Sequence, residues 1–89
     1  MESYINQIKD LRERMVQDAN NLYNEYKPIV DAYYSGEVTI EQRKEIAPKM
    51  SAAQKKLSKY ETAINHLQDA LYEMTGGELC YDRFTIWWF

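Results

Sequence analysis

Apolar positions recur every three or four residues along most of this chain, which is the spacing of a helix that buries one face. From residue 46 to residue 74 the steps alternate between four and three without interruption, so this stretch predicts a long helix with a heptad seam. The seam comprises Ile46, Met50, Ala53, Leu57, Tyr60, Ile64, Leu67, Leu71 and Met74. Because such a stripe must pack against another helix, we expect its central part, residues 50–71, to form the core or oligomer seam.

An earlier apolar stripe, spaced by about 3.6 residues on average, predicts a first helix over residues 3–34. Its members are Tyr4, Ile8, Leu11, Met15, Ala19, Leu22, Tyr26, Ile29 and Tyr33. Ser35-Gly36 is suited to end this helix, and Thr39-Ile-Glu-Gln42 is a capping box that starts a second helix over residues 40–75. The short connection favours antiparallel neighbours, so residues 1–77 are predicted to form an all-α, coiled-coil-like hairpin.

A proline interrupts each predicted helix. Pro28 lacks a backbone N–H and clashes with the carbonyl of Asn24, so we expect a kink in the first helix between these residues. Pro48 leaves two alternatives: a separate short helix over residues 39–47, or one long helix with a kink. The heptad pattern continues through Pro48, which favours the kinked long helix.

The final segment, residues 78–89, differs in character from the helices. It is rich in aromatic and β-branched residues, which favour extended backbone. Large aromatic side chains are strong anchors at protein interfaces, so one alternative is that this tail docks into a partner or pairs with the edge of its sheet. The candidate partner-binding residues are Tyr81, Phe84, Ile86, Trp87, Trp88 and Phe89. The other alternative is that the tail folds back and caps the open end of the hairpin.

The charge of the chain is unevenly distributed. The net charge of -3 gives no general attraction to nucleic acid or to acidic lipid. Residues 43–59 nevertheless contain six basic side chains and one acidic one. We expect this segment to be a solvated helix flank that faces Asp18, Glu25 and Asp31 of the first helix, because its basic residues are spread over several heptad positions.

Candidate catalytic and metal-binding chemistry is sparse. The chain has one histidine and one cysteine, so no catalytic group, metal site or cofactor is predicted and an enzyme is not expected. His66 occupies a heptad position that should face solvent, and Cys80 is expected to be a buried or inert thiol. A lone cysteine, the absence of a signal segment and the absence of a membrane-length apolar run together predict a cytoplasmic protein, in the host cytoplasm if it is viral.

Tyrosines and basic residues cluster near the predicted turn. Core and rim packing is the simplest account of the tyrosines. The alternative is a cleft that takes a small phosphorylated ligand, although no Gly-rich phosphate loop accompanies it. The candidate residues for an anion or ligand are Tyr26, Lys27, Tyr33, Arg43 and Lys44.

The turn sequence Tyr34-Ser35-Gly36, in a hairpin of this length, resembles the small WxG secretion substrates of type VII systems, with tyrosine in place of tryptophan. That family carries an export signal, Tyr-x-x-x-Asp/Glu, after its second helix. Here Tyr72 is followed at that spacing by Gly76, and Tyr81 by Thr85. The signal is missing, so the resemblance is confined to the turn and the outline. In size and acidity the chain is also similar to the small inhibitors that phages encode.

Three functional hypotheses follow from these patterns. The first is a non-enzymatic protein that binds a larger protein partner through its aromatic tail, as an inhibitor or adaptor. The second is a structural, self-assembling coiled-coil subunit. The third is an oligomeric sponge for a small phosphorylated ligand. Because two helices alone enclose little interior, a homodimeric four-helix bundle is expected in each case.

Overall fold

Two long antiparallel helices dominate the computed structural model, which describes residues 2–86. Helix α1 spans Glu2–Tyr34 and helix α2 spans Ile40–Met74. They pack along their length, so the described chain is a rod of 55 × 18 × 15 Å. The predicted all-α helical hairpin is confirmed. Trp87, Trp88 and Phe89 of the predicted tail lie outside the described residues.

The turn between the helices is built from local hydrogen bonds and one glycine. Gly36 has a φ of 77°, a left-handed conformation that glycine adopts without a steric penalty. The hydroxyl of Thr39 accepts the Gln42 backbone N–H at 3.2 Å, while the Gln42 side chain accepts the Thr39 N–H at 2.9 Å. These reciprocal bonds are the capping box that the sequence predicted.

Both prolines lie inside continuous helices. Helix α1 passes through Pro28 and helix α2 passes through Pro48. The alternative of a separate short helix over residues 39–47 is therefore wrong. The kinks themselves stay predictions.

The core lies where the two helices meet. Ala19, Leu57 and Ile64 are fully buried and form its centre. Of the predicted seam, Met50, Ala53, Leu57, Ile64 and Leu71 are buried, and Tyr60 and Leu67 are half-buried. Two polar side chains that lie off the seam, Asn65 and Gln68, are also buried, with 4% and 5% of their surfaces exposed.

No helix in the described part of the chain combines the length and the apolar character needed to cross a membrane.

The centre of the core should carry most of the stability. We expect Leu57→Ala to lower the free energy of unfolding by about 2–5 kcal/mol, because it leaves a cavity where the side chain is fully enclosed. Urea unfolding followed by circular dichroism measures this loss. Ser58→Ala, at the exposed neighbouring position, is the control and should change the free energy by less than about 0.5 kcal/mol. Equal losses in the two variants would contradict this placement of the core.

Candidate functional site

After α2 the chain reverses direction and returns along the side of the hairpin. Gly76 and Gly77 both have positive φ, 64° and 89°, and they make the reversal. Residues 78–86, called the C-terminal arm below, then run antiparallel to α2. Hydrogen bonds join Asp82 to Gln68 and Phe84 to Asn65, and Ile86 to Glu61 one turn earlier along the helix.

Two buried amides hold the backbone of the arm. The Asn65 side chain accepts the Phe84 N–H at 2.8 Å and donates to the Phe84 carbonyl at 2.9 Å. A carboxamide has both a donor and an acceptor, so Asn65 pairs with Phe84 as a neighbouring strand would. The Gln68 amide donates to the Asp82 carbonyl at 3.0 Å and to Asn65 Oδ1 at 3.3 Å. Among the described residues, no buried side-chain polar atom is left without a partner.

Arg12 connects this network to α1. Its Nε donates to Gln68 Oε1 at 2.8 Å, and its guanidinium lies 4.0 Å from the centre of the Tyr81 ring. The planar cation is therefore stacked on an aromatic face while one N–H is bonded to the amide, a geometry that lysine cannot reproduce. Arg12 thus ties both helices and the arm together.

The contacts of the arm alternate along its backbone. Asp82, Phe84 and Ile86 bond to α2 side chains, whereas Arg83 and Thr85 between them are exposed. In the described part of the chain, the backbone groups of Arg83 and Thr85 form no hydrogen bond. The hydrogen-bonded backbone groups of the arm therefore belong to alternate residues, which is the pattern of an extended chain with one edge bonded.

The predicted partner-binding side chains take different places. Phe84 and Ile86 are half-buried and pack against the core cluster of Ala19, Leu57 and Ile64. Tyr81 is half-buried beneath Arg12. The described part of the tail therefore lies along the side of the hairpin, with Phe84 and Ile86 toward the core and Asp82, Arg83 and Thr85 exposed.

Within residues 2–86, no segment covers the opposite side of the hairpin. A groove of about 690 Å³ runs there between the helices. Its apolar lining is Met15 and Leu22 of α1 with Tyr60 and Ala63 of α2, all half-buried. The arm thus fills one of the two grooves that flank the helix interface, and the other is open.

The predicted ligand cluster is only partly assembled. Arg43 lies over the ring of Tyr33, 5.6 Å from its centre, across the turn. Lys27 and Lys44 are exposed, and Tyr26 is half-buried. The phosphorylated-ligand site stays a prediction.

Metal-binding and nucleophilic groups are dispersed over the described residues. His66 is exposed, and no three side chains of the His, Cys, Asp or Glu type are grouped there in a way that could hold a metal ion. Cys80 is a free thiol and is exposed at the start of the arm, so the part of the expectation that allowed a buried thiol does not hold.

The polar residues that hold the arm were not among the residues predicted from the sequence. Glu61, Asn65 and Gln68 are separated by four and three residues, so they form a polar stripe along one face of α2. This spacing was a usable signal, because such a stripe beside an apolar seam can bond an extended chain. Arg12 gave no comparable signal.

Removing the Asn65 amide should loosen the arm selectively. We expect Asn65→Ala to cost about 1–3 kcal/mol of stability, because the Phe84 N–H and carbonyl lose their partner. Thermal unfolding measures the loss, and hydrogen exchange at the Phe84 amide reports it locally. Thr62→Ala, on the exposed face of the same helix, is the matched control. Unchanged exchange at Phe84 in Asn65→Ala would contradict the anchoring role.

No protein-family model, curated protein sequence or solved structure matches this chain. The contacts of the arm and the open groove are therefore the observations from which a function has to be inferred.

Proposed function

We propose that this chain is a non-enzymatic binding protein that presents its C-terminal arm to a larger protein, as an inhibitor or an adaptor. The observation that carries the proposal is the alternation along the arm. Asp82, Phe84 and Ile86 bond to the hairpin, whereas Arg83 and Thr85 are exposed residues whose backbone groups have no hydrogen-bond partner among the described residues. An extended segment with one satisfied edge and one free edge suits pairing with a strand of another protein.

The anchoring of the arm favours binding energetically. A flexible peptide that pairs with a sheet edge loses conformational entropy when it binds, at a cost of roughly 1–2 kcal/mol for each backbone residue that is fixed. Here the two α2 amides and the packing of Phe84 and Ile86 fix the arm before any partner arrives. A preorganised strand therefore keeps more of its interaction energy as affinity.

The side chains of the tail divide into two roles in this proposal. Tyr81, Phe84 and Ile86 hold the arm on the hairpin, since they are half-buried there. Partner contact is assigned to the backbone edge at Arg83 and Thr85, and not to the side chains of these two residues. It is also assigned to the three aromatic residues that follow the arm, Trp87, Trp88 and Phe89, which the sequence analysis identifies as interface anchors.

A substitution on the free edge tests the pairing. The tagged full chain is used to capture proteins from the source organism, and the captured protein is identified by mass, purified and titrated by calorimetry. We expect Thr85→Pro to weaken binding about tenfold, because proline removes one backbone donor from the free edge. Arg83→Ala, which keeps the backbone intact, is the matched control and should change affinity less than about threefold.

The terminal aromatic residues are tested with a second variant in the same experiment. The double variant Trp87→Ala/Trp88→Ala should lose at least about thirtyfold in affinity if these rings are anchors. Helicity and thermal unfolding of every variant are compared with the wild type. A partner that binds a chain truncated after Gly77 with undiminished affinity would overturn the proposal.

A further inference from the structure

The open groove continues as an apolar strip along α1. Tyr4 and Leu11 precede Leu22 by 18 and 11 residues, or about five and three helical turns, so all three lie on one side of the helix. Tyr4 and Leu11 are 64% and 41% exposed. On α2 the positions one or two heptads after Tyr60 and Ala63 are Leu67, Ala70 and Met74. This side, called the open flank below, is therefore an apolar face of about 27 Å along α1, from Tyr4 to Leu22, or roughly half of the 55 Å length of the chain.

The two walls of the open flank carry opposite charges. Asp18 and Glu25 of α1 line one side of the groove, and Lys56 and Lys59 of α2 line the other. All four side chains are exposed. Within the described residues no salt bridge joins the two walls. Each wall thus offers charges of one sign to whatever covers the groove.

These charges discriminate between the ways in which a second copy can cover the flank. A two-fold axis parallel to the helices places α1 of one copy on α2 of the other, so that acidic walls meet basic walls at the same level. A two-fold axis across the helices places α1 on α1 and α2 on α2, so that like charges meet. Opposite charges attract and like charges repel across such a contact. The first arrangement is therefore favoured.

We propose that a second copy of this chain docks on the open flank through a two-fold axis parallel to the helices. The product is a four-helix bundle in which every adjacent pair of helices is antiparallel, the up-and-down arrangement. Its centre is formed by Met15, Leu22, Tyr60 and Ala63 of both copies, which are half-buried in the single chain. The charged walls form the rim.

This inference goes beyond the proposed function and does not depend on it. The arm lies on the opposite side of the hairpin, where Arg12, Asn65 and Gln68 hold it. Dimerisation through the open flank therefore leaves both arms uncovered on the outer faces. A dimer of this kind presents two copies of the binding strand, and the two surfaces can be tested separately.

Charge reversal tests both the surface and its symmetry. The full chain is measured by sedimentation equilibrium over a range of concentrations and is expected to form dimers. The variant Asp18→Lys/Glu25→Lys makes both walls basic, and Lys56→Glu/Lys59→Glu makes both acidic. Each variant alone should dimerise at least tenfold more weakly than the wild type. Glu13→Lys/Glu37→Lys makes an equal charge change away from the flank and should dimerise as the wild type does.

Mixing the two reversed variants gives the decisive result. In each variant both walls carry charges of the same sign, so mixing does not restore attraction between the two walls of one chain. Between chains, the lysines on α1 of one variant face the glutamates on α2 of the other, and the native acids face the native lysines. We expect a one-to-one heterodimer with an affinity close to that of the wild-type dimer. A heterodimer much tighter than the wild-type dimer would indicate that α1 lies on α1 and would overturn the proposed symmetry, because only that arrangement pairs like charges in the wild type. A mixture that associates no better than its components would overturn the proposed surface.

The apolar strip is tested independently of the rim. Leu11→Asp places a charge on the open flank and should weaken dimerisation at least tenfold. Ile40→Asp makes the same kind of change at a more exposed site, at the start of α2 and away from the flank, and should have no effect. Circular dichroism confirms that each variant keeps its helices. A wild-type chain that stays monomeric at millimolar concentration, or equal losses in Leu11→Asp and Ile40→Asp, would overturn the proposed surface.

Discussion

The pairing of two buried amides with the backbone of the arm is the interaction on which the rest of this structure depends. A backbone laid against a hairpin brings N–H and carbonyl groups that lose water, and each unpaired buried group costs free energy. Helices have no free edge to offer, because their own backbone groups are already bonded. Asn65 and Gln68 solve this problem by presenting peptide-like groups on side chains.

The position of these amides determines which apolar surfaces are covered. Because the arm is bonded to the Asn65 side of α2, Phe84 and Ile86 pack over the core from that side. The side that contains Met15 and Tyr60 receives no third element from the described chain. A hairpin with one covered groove and one open groove has two different faces, and we assign them to two different contacts.

The sequence was sufficient to predict the helices and their ends, because those depend on local chemistry. Gly36 and the Thr39–Gln42 capping box each act within a few residues, and the periodicity of α2 shows which face is buried. The arm was harder to predict. Its course depends on residues 14 to 25 positions away, and no periodic pattern encodes such a distance.

The burial of Asn65 and Gln68 illustrates the limit of pattern analysis. Amide side chains next to a heptad seam ordinarily face water, and their composition alone gives no other indication. They become buried here because an extended segment supplies their hydrogen-bond partners. The extended tail was predicted from its own composition, whereas the burial of the two amides depends on that tail lying against them.

Within the described residues, every hydrogen bond between residues 82–86 and the hairpin ends on a helix side chain rather than on helix backbone. Peeling the arm away would therefore break four side-chain bonds and leave the backbone ladders of both helices intact. We therefore expect the arm to open at a lower free energy than the hairpin unfolds, although opening also uncovers the core surface beneath Phe84 and Ile86. In such a molecule the hydrogen bonds between the arm and the α2 side chains can be replaced by bonds to water, and can form again, many times before the helices unfold.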